Sequence, residues 1–116
     1  MPRTVLVVDD SAAFRATARA LLTARGYEVV GVAADMATGL QAARTLRPDC
    51  VLADVNLPDG DGIALAGELT DAAAVVLVST LDESELGDGV RRSGARGFVP
   101  KAELASRRLI ELLGPP

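Results

Sequence analysis

Short apolar runs alternate with segments whose apolar residues recur at helical spacing, five times along the 116 residues of the chain. The runs fall at Thr4 to Val8, Glu28 to Ala33, Cys50 to Asp54, Val75 to Ser79 and Gly97 to Pro100. Their near-continuous apolar character predicts strands buried on both faces. After the first run, Phe14, Ala18, Leu21 and Leu22 share a helical face, with Ser11 placed to cap its start and Gly26 just past its end. Met36, Leu40 and Ala43 define a second helix with Asp35 as its cap and Pro48 beyond its stop, and a short third runs from Ile63 to Leu69. The fourth, Glu83 to Ser93, contains Gly87 and Gly89, each costing about 1 kcal/mol against Ala, so a frayed or mobile helix is expected there. The last sets Ala105, Leu109, Leu112 and Leu113 on one face before Gly114-Pro115-Pro116 ends it.

Strands apolar on both faces and interleaved with helices call for a parallel sheet covered on both sides, a doubly wound α/β domain formed by residues 1–116. In the flavodoxin-like (βα)5 arrangement, strand order 2-1-3-4-5, ligands bind beyond the carboxyl ends of strands one and three, where the order reverses. Those strands end in acids: the first runs into Asp9 and Asp10, the third into Asp54. Anions gathered at one sheet edge repel by about 4 kcal/mol per close pair at an effective dielectric near 20, so a cation is expected among them. Oxygen ligands without His or clustered Cys suit Mg2+, or Mn2+, over Zn2+. At the same edge the fourth strand supplies Ser79 and the fifth Lys101, completing a seat for a metal-bridged dianion. Thr80 is the alternative hydroxyl, and spacing favours Ser79.

Composition narrows the partners. Hydrophobic residues make up 49% of the chain, yet no apolar run approaches the roughly 20 residues that span a bilayer, and no leader pattern opens the sequence. A soluble, cytoplasmic protein is expected. A net charge of -4 with dispersed arginines gives no electrostatic footprint for nucleic acid. Cys50, the one cysteine, excludes an internal disulfide and reads as a small core residue.

The acidic pair after the first strand, Asp54, Ser79 and Lys101, all at strand ends and in this order, together with the Asp54-Val-Asn-Leu-Pro58-Asp-Gly60-Asp-Gly62 turn, resemble the receiver domain of bacterial two-component response regulators over essentially the whole chain. The resemblance implies that Asp9, Asp10, Asp54 and the backbone carbonyl of Asn56 hold Mg2+. It implies that Asp54 accepts a phosphoryl group from a sensor histidine kinase or phosphotransfer protein, with Ser79 and Lys101 at the phosphoryl oxygens. It also implies a switch in which Ser79 and Phe98 reshape the face made by the fourth helix, fifth strand and fifth helix, a face through which members can dimerise. Such a domain catalyses only its own phosphorylation and dephosphorylation and acts on a downstream protein or an output domain.

Four features depart from the common pattern. The stretch from Asp54 to Ser79 is short, Lys101 is followed by Ala102 where many members have Pro, Phe98 lacks a hydroxyl, and apolar Leu81 stands where it would shield an acyl phosphate from water. The rival reading is a phosphorylation-independent docking module. A nucleotide-binding enzyme is disfavoured because Asp-Asp-Ser replaces a Gly-rich turn after the first strand.

Overall fold

A computed structural model describes residues 2–81 and 88–116. Five parallel strands, β1 (Thr4–Val8), β2 (Glu28–Ala33), β3 (Cys50–Asp54), β4 (Ala74–Ser79) and β5 (Gly97–Pro100), form one sheet in the order β2-β1-β3-β4-β5. This is the doubly wound order expected from the sequence.

Side chains alternate across the sheet and divide the core into two layers. Val5, Val7, Leu52, Val76, Val78 and Val99 face α1 (Ala12–Ala24) and α5 (Arg107–Leu113), meeting Ala18, Leu22, Leu109 and Leu113. On the opposite side Leu6, Val8, Val51, Ala53, Leu77 and Phe98 meet α2 (Met36–Leu46), α3 (Gly62–Leu69) and α4 (Gly89–Arg92), through Ala43, Leu65, Leu69 and Val90. Burying β3 completely between these layers explains why Cys50 to Ala53 is uniformly apolar. Cys50 is buried as expected, with Arg3 Nε 3.2 Å from its sulfur. No helix among the described residues is long and apolar enough to cross a membrane.

The caps follow the sequence closely. Ser11 Oγ accepts from Phe14 N at 3.2 Å, Asp35 Oδ1 from Thr38 N at 2.8 Å, and Gly26 takes the left-handed φ of 97° that ends α1. Arg47 ends α2 in the same region at φ 49°, a conformation unusual for a non-glycine. The third helix begins at Gly62, capped by Asp61, one residue before the expected start. The expected fourth helix falls partly on residues 82–87, outside the described residues, and its described part is the single turn Gly89–Arg92.

The last helix corrects the sequence reading. Ala105 lies outside it and is exposed, Ser106 occupies the cap position, and Leu104 takes the buried place. A 3-10 turn, Lys101–Glu103, intervenes between β5 and the helix and changes the spacing from 3.6 to three residues per turn. One irregularity marks the sheet edge: Val5 pairs with Val29 but Leu6 with Gly31, so β2 carries Val30 as an extra residue.

Candidate functional site

At the switch point, β1 and β3 lie side by side with Val8 opposite Ala53. Asp9 and Asp54, the next residues on each strand, therefore emerge together. Asp9 N extends the ladder by donating to Ala33 O at 2.9 Å. Both carboxylates are buried, Asp9 completely and Asp54 with 6% of its surface exposed, while Asp10 is exposed. One oxygen of each of these three residues falls within a 4.8 Å cluster.

Lys101, the first residue of the 3-10 turn, turns its ammonium into this cluster and contacts Asp9 Oδ2 at 2.6 Å and Asp54 Oδ2 at 3.0 Å. The outer carboxylate oxygens are held by main-chain donors: Ser11 N binds Asp9 Oδ1 at 2.8 Å and Asn56 N binds Asp54 Oδ1 at 3.0 Å. Arg15 donates to the Asp9 carbonyl at 2.7 Å. The ammonium is the one partner of buried Asp9 Oδ2 among the described residues, and the contact lacks good hydrogen-bond alignment.

One cation thus serves two buried anions. Burial pushes the Asp54 carboxyl above its ordinary value, helped by the Asp9 charge, and the Asn56 N–H and Lys101 only partly offset this. Burial works against the Lys101 ammonium as well, but its contacts with Asp9 and Asp54 together outweigh it and raise Lys101 above the usual lysine value.

The other expected residues lie at or just inside this edge. Ser79 ends β4 one residue past Val78, the partner of Asp54 in the ladder. It is fully buried, and its Oγ accepts from Leu81 N at 3.1 Å, whereas Thr80 is exposed. Phe98, on β5, is 2% exposed and packs in the layer that contains Leu77 and Val90. Asn56 begins a two-residue ladder, Asn56–Leu57 against Gly60–Asp61, that leads from the strand end to α3.

Three contributors escaped the sequence reading. Phe14, expected only as part of an apolar helix face, also places its ring centroid 4.4 Å from Lys101 Nζ. Helical side chains tilt toward the N-terminus, so a residue three past the cap leans over the strand ends, and this was a usable signal. Asp59 adds a tertiary cap to α2 by accepting from Met36 N at 2.7 Å and Ala37 N at 2.9 Å. Gly62 lies against the backbone of Asp54 so closely that a Cβ there would overlap the Asp54 carbonyl.

A parallel sheet whose switch point gathers strand-end carboxylates around one ammonium can hold a hard metal ion and an anionic group at that edge. The response regulator receiver domain family matches residues 5–113, and the chain belongs to that family as a receiver domain of two-component signalling. The transcriptional regulatory protein PdtaR of Mycobacterium tuberculosis is 32% identical over 97% of this chain and 60% of its own length. The protein-glutamate methylesterase/protein-glutamine glutaminase 5 of Myxococcus xanthus is 42% identical over 97% of this chain and 34% of its own length. The chain therefore spans less than two thirds of both relatives. Among solved structures, the signal receiver domain of the response regulator NarL from Mycobacterium tuberculosis matches with a TM-score of 0.85 at 29% identity, covering 97% of this chain and 98% of that one.

Receiver domains are in general signalling domains without an enzymatic activity toward other molecules, and they typically bind Mg2+. The donor set here fits such an ion. It is all carboxylate, open to solvent at Asp10, and includes a buried oxygen, Asp9 Oδ2, short of donors.

Proposed function

We propose that this receiver accepts a phosphoryl group on Asp54 from a phosphohistidine of a sensor kinase or phosphotransfer protein. What supports this most is the single ammonium shared between Asp9 and Asp54 at 2.6 and 3.0 Å. A site with more anions than cations holds its nucleophile ready while leaving room for further positive charge.

Asp54 attacks phosphorus with a carboxylate whose plane is fixed by Asn56 N on Oδ1, and the phosphorus–nitrogen bond of the donor breaks as the acyl phosphate forms. Asp9, Asp10, Asp54 and the Asn56 backbone carbonyl would hold Mg2+, or Mn2+, which would neutralise the charge that spreads over the phosphoryl oxygens. Asp10, the exposed acid, suits direct metal contact, and buried Asp9, tied to Ser11 N and Lys101, suits orientation. Lys101 loses the Asp54 charge as the acyl phosphate forms and turns to the transferred oxygens.

The readout starts at Ser79. Its hydroxyl reaches the phosphoryl group by giving up the Leu81 N–H, which transmits the new charge to the backbone after β4. Phe98 then adjusts in the layer that holds α4, and the face of α4, β5 and α5 changes for a downstream protein or an output domain. Leu81, 39% exposed beside the site, shields the acyl phosphate from water.

Incubation with Mg2+ and acetyl phosphate, or with a cognate kinase, is expected to add the mass of one phosphoryl group to the wild type and nothing to Asp54→Asn. No adduct from either donor sinks this reading and leaves the docking module, and an adduct retained by the variant overturns Asp54 as the acceptor.

A further inference from the structure

We propose that Phe14 is a positioning residue for Lys101, fixing the ammonium over the carboxylates through the face of its ring. The proposal rests on the phosphoacceptor reading only for its consequence, since the contact itself belongs to the resting domain.

Lysine carries its charge on a flexible stem with three donors, and nothing in its chemistry selects one position. At this site two donors have obvious destinations, Asp9 Oδ2 and Asp54 Oδ2. The remaining approach is occupied by the Phe14 ring, 4.4 Å from Nζ to its centroid, and the side chain of Lys101 retains only 17% exposure. An ammonium lying against a ring face is attracted by the ring quadrupole, more strongly when water is excluded. A benzene face also presents no competing acceptor, so it confines the cation without drawing it away from the acids.

The ring is itself held by the site. Phe14 N donates to Ser11 Oγ at 3.2 Å, and Ser11 N donates to Asp9 Oδ1 at 2.8 Å. Arg15, the next residue, grips the Asp9 carbonyl at 2.7 Å. The first turn of α1 is thereby tied to Asp9 from both sides and carries Phe14 to the ammonium that Asp9 shares with Asp54. This closed circuit joins the acid, the helix cap, the ring and the cation. Packing against the α1 and α5 core layer supports the ring from behind and accounts for its half-burial, but an aliphatic residue would serve that purpose equally well.

Three variants separate positioning from packing: Phe14→Leu keeps apolar bulk without a ring face, Phe14→Tyr keeps the face, and Phe14→Ala removes both. Without metal or donor, the Lys101 ε-methylene protons are expected upfield in the wild type and Phe14→Tyr, and at ordinary lysine positions in Phe14→Leu and Phe14→Ala. With Mg2+ and beryllofluoride as the phosphoryl mimic, affinity should fall about 3- to 10-fold in Phe14→Leu and recover in Phe14→Tyr, the range a single cation–π contact supplies. Equal thermal midpoints for the Leu and Tyr variants exclude a folding defect as the cause. Lys101 resonances that are the same in wild type and Phe14→Leu overturn the proposal. So does unchanged beryllofluoride affinity in Phe14→Leu. A wild type that takes up no beryllofluoride overturns the phosphoacceptor reading instead, and the resonance shift alone then decides whether Phe14 holds Lys101.

Discussion

Strand β3 has an aspartate at each end, and the two are treated in opposite ways. Asp49, just before the strand, is exposed, and its Oδ2 accepts from Thr4 N at 2.9 Å and Thr4 Oγ1 at 3.1 Å, while its own N–H donates to Thr4 Oγ1 at 2.8 Å. Those bonds hold its carboxyl below the ordinary value. Asp54, at the other end, is buried beside a second acid and shares one ammonium with it, and burial drives its carboxyl up. An acid satisfied by backbone and hydroxyl donors fastens two strands together. An acid packed among acids is raised by burial instead, and the sheet places the two kinds at opposite edges.

The cation beside the buried acids gives the sharpest test of this contrast. Replacing Lys101 by Met leaves Asp9 and Asp54 buried without a counter-charge and is expected to cost about 3 kcal/mol in the absence of divalent metal. Urea unfolding measures it, and a loss below about 1 kcal/mol would mean the pair is solvated in the way Asp49 is. Arg3→Met at the opposite edge removes bonds to Leu113 O and the Cys50 sulfur, but it strands no buried anion. Its loss should be smaller, and the Lys101→Met loss should shrink as Asp54 protonates.

Gly62→Ala comes next, at about 2 kcal/mol, because the new Cβ would collide with the Asp54 carbonyl and stand 3.0 Å from Leu77 Cδ2. Thermal unfolding checks the cost. A variant as stable as the wild type would show that the Asp54 end of β3 tolerates backbone movement, which the comparison denies.

The smallest effect is Asp49→Ala, about 1 kcal/mol at neutral pH for the lost Thr4 bonds. Its pH signature is more telling than its size. Because the folded carboxyl of Asp49 lies below the unfolded value of 3.8, its contribution is complete above 3.8 and disappears as pH falls through the folded value. Asp54, raised, behaves oppositely: its contribution is complete below 3.8 and is lost as pH rises through its folded value. Metal-free stability curves should therefore lose part of their acid limb in Asp49→Ala. A curve parallel to the wild type at acid pH would contradict the assignment.

How far these features were legible follows from where their causes lie. Strand positions came from local composition, and four of the five strands begin and end where the apolar runs do; β4 starts one residue early, at Ala74, whose N–H donates to Asp49 O at 2.9 Å. The acids and Lys101 were readable because topology alone carries strand ends to one edge. Ala105 misled because it continues the helical spacing of Leu109 and Leu112, and only the folded turn at Lys101–Glu103 breaks that register. Asp59 was invisible as a cap for α2 because it lies 23 residues from the amide of Met36 that it accepts from, and sequence offers no local sign of such a bond. Phe14 was legible as apolar, but its neighbour, Lys101, is set by the fold.

The extra residue Val30 in β2 bears on how this sheet coexists with other chains. An open parallel sheet has two unpaired borders, each a template for strands of other molecules. In β2 the bulge interrupts the even spacing of main-chain donors and acceptors that a recruited strand would need. At the opposite border β5 is only four residues long and ends in Pro100, which offers no N–H. Two unrelated local devices thus protect a molecule with a strongly apolar sheet from growing sideways into aggregates.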